Sequence, residues 1–167
     1  MQIESMPRAT FPTALGTCAL SWSETGLTGF ELPEVPVRGD DAASPPAAIA
    51  VLIARVQRHF TGELQDFSDL RYDFGRVPEF PREVYHATLA VKAGSTASYG
   101  DIAAVLGYAP GMSRAVGTAL GANPWPLLVP CHRIVSADGK MTGFSGPGGV
   151  KTKLRLLALE GAQLFAE

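Results

Sequence analysis

Cysteine is nearly absent, with only Cys18 and Cys131 in 167 residues. Two thiols cannot build the disulfide framework of a small secreted domain. Neither sits in a CxxC pair or beside paired histidines, so no metal site is expected. A reducing, cytoplasmic compartment fits. Long apolar runs are also missing. The longest, Ala47 to Ala54, is closed by Arg55 and falls far short of the roughly 18 residues that span a bilayer. No membrane association is expected. The opening MQIESMPRAT has no basic segment followed by an apolar one, so no signal peptide is expected. Charge is sparse at 18%, against 46% hydrophobic residues. Mean hydropathy is +0.12. That composition fills a core and excludes a disordered chain. The length fits one domain, or two small ones sharing a core.

The net charge of −2 hides an asymmetry. Residues 1–79 carry 6 Lys and Arg against 11 Asp and Glu, a balance of −5. Residues 80–167 carry 8 against 5, a balance of +3. A mildly basic second half invites a polyanionic partner. Ordinary surface variation is the plainer reading of charge alone.

Residues 1–10 read as a tail. Leu20 and Trp22 alternate with Ser21 and Ser23, as in a half-buried strand, and Glu24 to Gly26 is a turn signal. Leu27 to Leu32 completes a hairpin. A breaker-rich loop with Pro33, Pro36, Gly39, Pro45 and Pro46 follows. Ile49, Ile53, Val56 and Phe60 recur at helical spacing, so a helix is predicted over Ala47–Phe60, ended by Gly62. Asp66 to Tyr72 reads as a last strand, and Asp73 to Pro81 as a linker. These signals predict an N-terminal α/β domain over 11–75 and a second domain over 76–167.

The second domain reads as mostly helical. Arg82 to Val91 is a helix stopped at Gly94. Ser98 and Asp101 have the form of a capping box, a serine N-cap with an acid three residues on. Their helix runs to Leu106 and stops at Gly107. A further short helix, Arg114 to Leu120, gives a helix-turn-helix pattern. Its side chains Ala115, Gly117, Thr118 and Ala119 are small, which permits close approach to another helix or to a DNA groove. Gly149 to Leu159 reads as an amphipathic helix, with Leu154, Leu157 and Ala158 on one face and Lys151, Lys153 and Arg155 elsewhere. The fold class expected is therefore α+β: a small strand-and-helix domain followed by a mostly helical one containing a helix-turn-helix.

Asn123-Pro-Trp-Pro126-Leu-Leu-Val-Pro130-Cys131-His132-Arg133 carries the chemistry. Prolines at 124, 126 and 130 fix φ and extend their predecessors. Leu127, Leu128 and Val129 predict a buried strap. Its end delivers a cysteine followed at once by histidine. A thiolate is a nucleophile, and a neighbouring imidazole activates it. Glu160 is a possible third member. A carboxylate in the last helical turn is locally unfavourable, and a cationic partner would offset that. A plain solvated glutamate is the alternative.

Pro130-Cys-His-Arg-Ile134 resembles the PCHR(V/I) signature of the O6-alkylguanine-DNA alkyltransferases, the methylated-DNA–protein-cysteine methyltransferases. Ser98-Tyr-Gly-Asp-Ile-Ala103 resembles the first helix of that family's helix-turn-helix. Arg114-Ala-Val-Gly117 with Asn123-Pro124 resembles its recognition helix and asparagine turn. Gly143-Phe-Ser-Gly146 resembles its pocket loop, and Leu156-Leu-Ala-Leu-Glu-Gly161 its closing helix. The match runs from about Phe80 to Gly161, roughly half the chain.

The resemblance implies a single-turnover DNA repair protein that transfers an alkyl group irreversibly from O6-alkylguanine in double-stranded DNA to Cys131. His132 would be the general base through water, with Glu160 orienting and charging the imidazole and Asn123 holding the turn. Arg133 would tie down the strap. Arg114 would be the finger that replaces the flipped base, and Tyr99 would help rotate the nucleotide. Ser113, Ala115 and Gly117 would lie against the minor groove. Phe144, Ser145, Tyr99 and Ile134 would line the pocket. No cofactor is implied, and the protein would act as a cytoplasmic monomer. Phe144 stands where the family often has tyrosine, Pro147 adds a residue to the loop, and Tyr85 stands where many bacterial members have tryptophan. Two other readings remain open: a damage-sensing protein of the alkyltransferase-like type, which lacks the acceptor cysteine, and a Cys-His hydrolase of small acyl substrates.

Overall fold

A computed structural model describes residues 7–33, 45–136 and 149–162. The chain begins with a three-stranded antiparallel sheet in the order β1-β2-β3: Arg8–Thr13, Gly16–Ser23 and Gly26–Glu31. The hairpin expected from the alternation of Leu20 and Trp22 is present. Gly26 adopts φ +137°, and a Cβ there would meet Arg71 O at 2.6 Å, so the turn admits only glycine. Residues 8–10, expected in the tail, belong instead to β1, where Phe11 pairs with Cys18. Pro12 hides that strand from a propensity reading. It is tolerated because β1 is an edge.

Helix α1 (Ala47–His59) packs against β1 and buries Ile49, Leu52, Val56 and His59. The strand expected over Asp66–Tyr72 does not form. Tyr72 makes one isolated bridge to Leu27, and Asp66 accepts the Ser68 N–H in a turn. The expected linker contains a short 3-10 turn, Phe74–Arg76, and the start of α2 (Glu79–Leu89).

The helix-turn-helix consists of α3 (Tyr99–Val105) and α4 (Ser113–Gly121), joined through a 3-10 turn at Pro110–Met112. The capping box at the start of α3 is complete: Asp101 N–H donates to Ser98 Oγ, and Ser98 N–H donates to Asp101 Oδ2, both at 2.9 Å. Gly107 adopts φ +84° at the helix end. Two-residue strands β4 (Ala97–Ser98) and β5 (Ile134–Val135) pair in parallel. Their pairing joins the segment after Cys131 to the start of the helix-turn-helix. Helix α5 (Gly149–Leu159) closes the described structure.

One buried cluster runs through both halves, from Ala9 and Leu20 to Ile134 and Leu156. Trp125 is its hub. Its ring lies 5.3 Å from both Tyr72 and Phe74 and 6.1 Å from Tyr85. Its indole N–H donates to Leu27 O at 2.9 Å, which satisfies the polar end of an otherwise buried ring. Among the described residues, no helix is long and apolar enough to cross a membrane.

Candidate active site

The strap is held by its own side chains. Asn123 Nδ2 donates to Val129 O, and Asn123 Oδ1 accepts the Trp125 N–H, both at 2.9 Å. Pro124 O accepts the Phe30 N–H, which fastens the strap to β3. Leu127 is buried at φ +83°, a conformation that costs a branched residue on the order of 1–3 kcal/mol. Flanking Pro126, buried Leu128 and the Asn123 clamp hold it there.

The strap ends in a 3-10 turn, Cys131–Arg133, with all three side chains buried. Burial pushes the Cys131 thiol above its ordinary 9.0, opposed by the Asn123 amide and the charge of Lys153. Both cysteines are free. Burial also pushes Cys18, in the sheet, up to about 12.

Glu160 lies at the end of α5, buried beneath this turn. Arg133 Nε donates to Oε1 at 2.8 Å, and Arg133 Nη2 donates to Oε2 at 2.7 Å. Arg133 Nη1 donates to Val91 O at 2.7 Å. His132 Nε2 and His59 Nε2 each lie 3.0 Å from the same Oε2. An ionised carboxylate only accepts, so both imidazoles donate. These donors hold the Glu160 carboxyl well below its usual range despite burial. Charge-assisted hydrogen bonds contribute roughly 1.5–3 kcal/mol each. They outweigh the helix-dipole cost of under about 1 kcal/mol.

The charge partner of Glu160 is therefore Arg133. Burial pushes the His132 pKa below 6.5, against the pull of Glu160, so the resting imidazole is neutral. Glu160 acts on the imidazole in the expected sense, and burial outweighs it. With its proton on Nε2, His132 presents an unprotonated Nδ1. That atom is buried and has no hydrogen-bond partner among the described residues.

The expected face of α5 is also corrected. Leu156, Leu157, Lys153 and Glu160 are buried, whereas Leu154 is exposed. Lys153 Nζ donates to Ile134 O at 2.7 Å and lies 5.9 Å from the Tyr99 ring centroid. Desolvation lowers the Lys153 pKa, and the Cys131 charge opposes this. The cation thus stands among three residues singled out from sequence: Cys131, Tyr99 and Ile134.

On the helix-turn-helix, Arg114 is exposed, while Ser113, Ala115 and Gly117 are half-buried. A Cβ on Gly117 would stand 3.7 Å from the Tyr99 ring. The small residue thus faces α3 at ordinary contact distance. Phe144, Ser145 and Pro147 lie outside the described residues. A surface cavity of about 260 Å³ beside Trp22, Leu27, Ile49 and Leu52 contains none of these site residues.

Sequence reasoning missed His59 and Lys153. Both stand at helical spacing from buried apolar residues: His59 three after Val56, and Lys153 three before Leu156. A polar residue in an apolar stripe was the available signal.

Residues 79–162 match the family profile of the 6-O-methylguanine DNA methyltransferase DNA-binding domain. A methylated-DNA–protein-cysteine methyltransferase of Methanothermobacter thermautotrophicus is 37% identical, over 86% of this chain and 78% of its own. A DNA base-flipping protein of Thermus thermophilus is 41% identical, over 90% of this chain and 97% of its own. Mycobacterium tuberculosis OGT, solved in complex with DNA, superimposes with a TM-score of 0.78 at 37% identity and covers 92% of both chains. The chain belongs to the methylated-DNA–protein-cysteine methyltransferase family.

Proposed function

We propose that Cys131 accepts the alkyl group in a direct, irreversible repair of O6-alkylguanine in DNA. The sulfur forms a bond to the alkyl carbon as the carbon–O6 bond breaks. The electron pair leaves with the guanine, which takes up a proton. The thioether has no route back, so each molecule reacts once. No cofactor enters this balance. The observation that carries the reading is the buried Cys131-His132 pair, with a bare imidazole nitrogen, at the end of an over-determined strap.

His132 takes the thiol proton at Nδ1 through a water molecule. Glu160 fixes the ring through Nε2, and Asn123 holds the strap. Lys153 favours the thiolate electrostatically. An O6 substituent inside a duplex is out of reach of a buried thiol, so the base must leave the stack. Arg114, exposed on α4, enters the vacated space, and Tyr99 contacts the displaced nucleotide. Ser113, Ala115 and Gly117 approach the minor groove, which is only about 6 Å wide. Ile134 and Tyr99 line the base pocket. The protein acts as a monomer on DNA in the cytoplasm.

The likeness to a DNA base-flipping protein favours a second reading, recognition without transfer. Intact mass after incubation with a duplex containing O6-methylguanine separates the two. Transfer adds one methyl, located on Cys131 and saturating at one equivalent. Cys131→Ser should take up none and still bind the duplex, because phosphate contacts supply most of the affinity. An unchanged wild-type mass, or uptake at Cys18, overturns the assignment.

A further inference from the structure

His59 comes from α1, in the part of the chain outside the matched family profile. It is fully buried. Its two ring nitrogens have different, fixed partners. Nδ1 accepts the Gln65 backbone N–H at 3.0 Å, so it carries no proton. Nε2 therefore carries the proton and donates to Glu160 Oε2 at 3.0 Å. Phe60 and Phe67 pack around the ring, their centroids 6.2 and 5.4 Å from it. The same Oε2 receives His132 Nε2 at 3.0 Å.

We propose that His59 is a positioning residue for the alkyl-transfer site, holding the Glu160 carboxylate so that His132 keeps its proton on Nε2 and its lone pair on Nδ1. Arg133 grips the carboxylate from one side, through both oxygens. His59 supplies the opposing contact on Oε2, from a different part of the fold. Without it, Arg133 alone sets the carboxylate, Oε2 is drawn toward the guanidinium, and the His132 ring follows. In the proposed transfer the thiol proton passes to Nδ1, and a rotated ring takes that nitrogen away from its path. The effect of His59 therefore falls on the rate of transfer rather than on DNA affinity. The inference rests on the alkyl-transfer reading of Cys131.

Three substitutions separate positioning from simple packing. His59→Phe keeps the ring volume and removes the donor. His59→Asn can still accept the Gln65 N–H but is too short to reach Glu160. His59→Gln extends an N–H toward Glu160. The single-turnover rate at saturating duplex should fall on the order of tenfold in His59→Phe and His59→Asn, the scale on which outer partners of reacting groups act. His59→Gln should restore most of that loss, and the DNA dissociation constant should be the same in all three. If His59→Phe fails to fold, the Asn and Gln pair carries the comparison.

Long-range proton–nitrogen spectra of the imidazoles supply a readout that packing alone would not move. In the wild type, His59 and His132 should both be Nε2–H tautomers. In His59→Asn, His132 should shift toward a mixture. A His59 protonated on Nδ1 overturns the proposal. So do variants that lose thermal stability but keep the wild-type rate and His132 signature. A wild type that takes up no alkyl group overturns the functional reading and this proposal together.

Discussion

Arg133 and Glu160 form a two-point contact, Nε to Oε1 at 2.8 Å and Nη2 to Oε2 at 2.7 Å, between the turn that carries Cys131 and the end of α5. Both side chains are buried. Glu160→Ala strands the guanidinium away from water, and removing one partner of a buried pair costs roughly 3–5 kcal/mol. The melting temperature should fall on the order of 10 °C. Arg133→Met combined with Glu160→Gln should lose less than the two single changes together, because no charge is left stranded. Thermal unfolding of the wild type, Glu160→Ala, the two single changes and the double variant checks this. A single-mutant loss under about 1 kcal/mol would place the pair with ordinary surface bridges.

The same cluster sets the acid limit of stability. The folded-state pKa values of His132 and Glu160 lie below their ordinary 6.5 and 4.5. A group with a depressed folded pKa binds protons more readily when unfolded. Its contribution is present above the unfolded pKa and is lost as pH falls. The urea midpoint should therefore decline as pH drops below about 6.5, and more steeply below about 4.5. Measuring the midpoint from pH 8 to pH 4 tests this. A curve flat down to pH 5 would show His132 to be charged in the folded protein.

Lys153 acts on the thiol from α5. Burial raises the Cys131 pKa, and the Lys153 cation opposes that rise. Lys153→Met should slow alkylation near neutral pH, by roughly tenfold for each unit the thiol pKa climbs. The rate should recover as pH rises and the thiol ionises unaided. Single-turnover rates against pH for both proteins decide it, with circular dichroism confirming the fold. Superimposable profiles would confine Lys153 to its bond with Ile134 O.

What was legible from sequence follows the range of the interactions. The hairpin, the capping box of Ser98 and Asp101, and the span of α5 depend on near neighbours and period, and all three appear as read. The pairing of Arg133 with Glu160 joins residues far apart in the chain, and no local pattern carries it. Asp66–Tyr72 has strand-like residues, but pairing is a tertiary event, and only Tyr72 found a partner. A buried lysine is rare, so hydrophobic period alone puts Leu154 rather than Lys153 on the buried face of α5. Leu154 gave up its place to a cation that the carbonyl of Ile134 accepts. His59 occupied an apolar stripe in plain view, but its partner Glu160 lay at the far end of the sequence.

The finger role proposed for Arg114 can be separated from alkyl transfer by experiment. It is exposed on α4, whereas the reacting thiol is buried at the end of the strap. Reaction inside a duplex requires unstacking, at a cost of a few kcal/mol, and an inserted side chain offsets it. A free modified base has nothing to unstack. Arg114→Ala should therefore slow repair of O6-methylguanine in a duplex by about 100-fold if some 2.7 kcal/mol of compensation is lost. Its rate with free O6-benzylguanine should stay near that of the wild type. Parallel single-turnover assays on the two substrates give the answer. Equal losses on both would assign Arg114 to the pocket or to the fold, and the finger reading would be withdrawn.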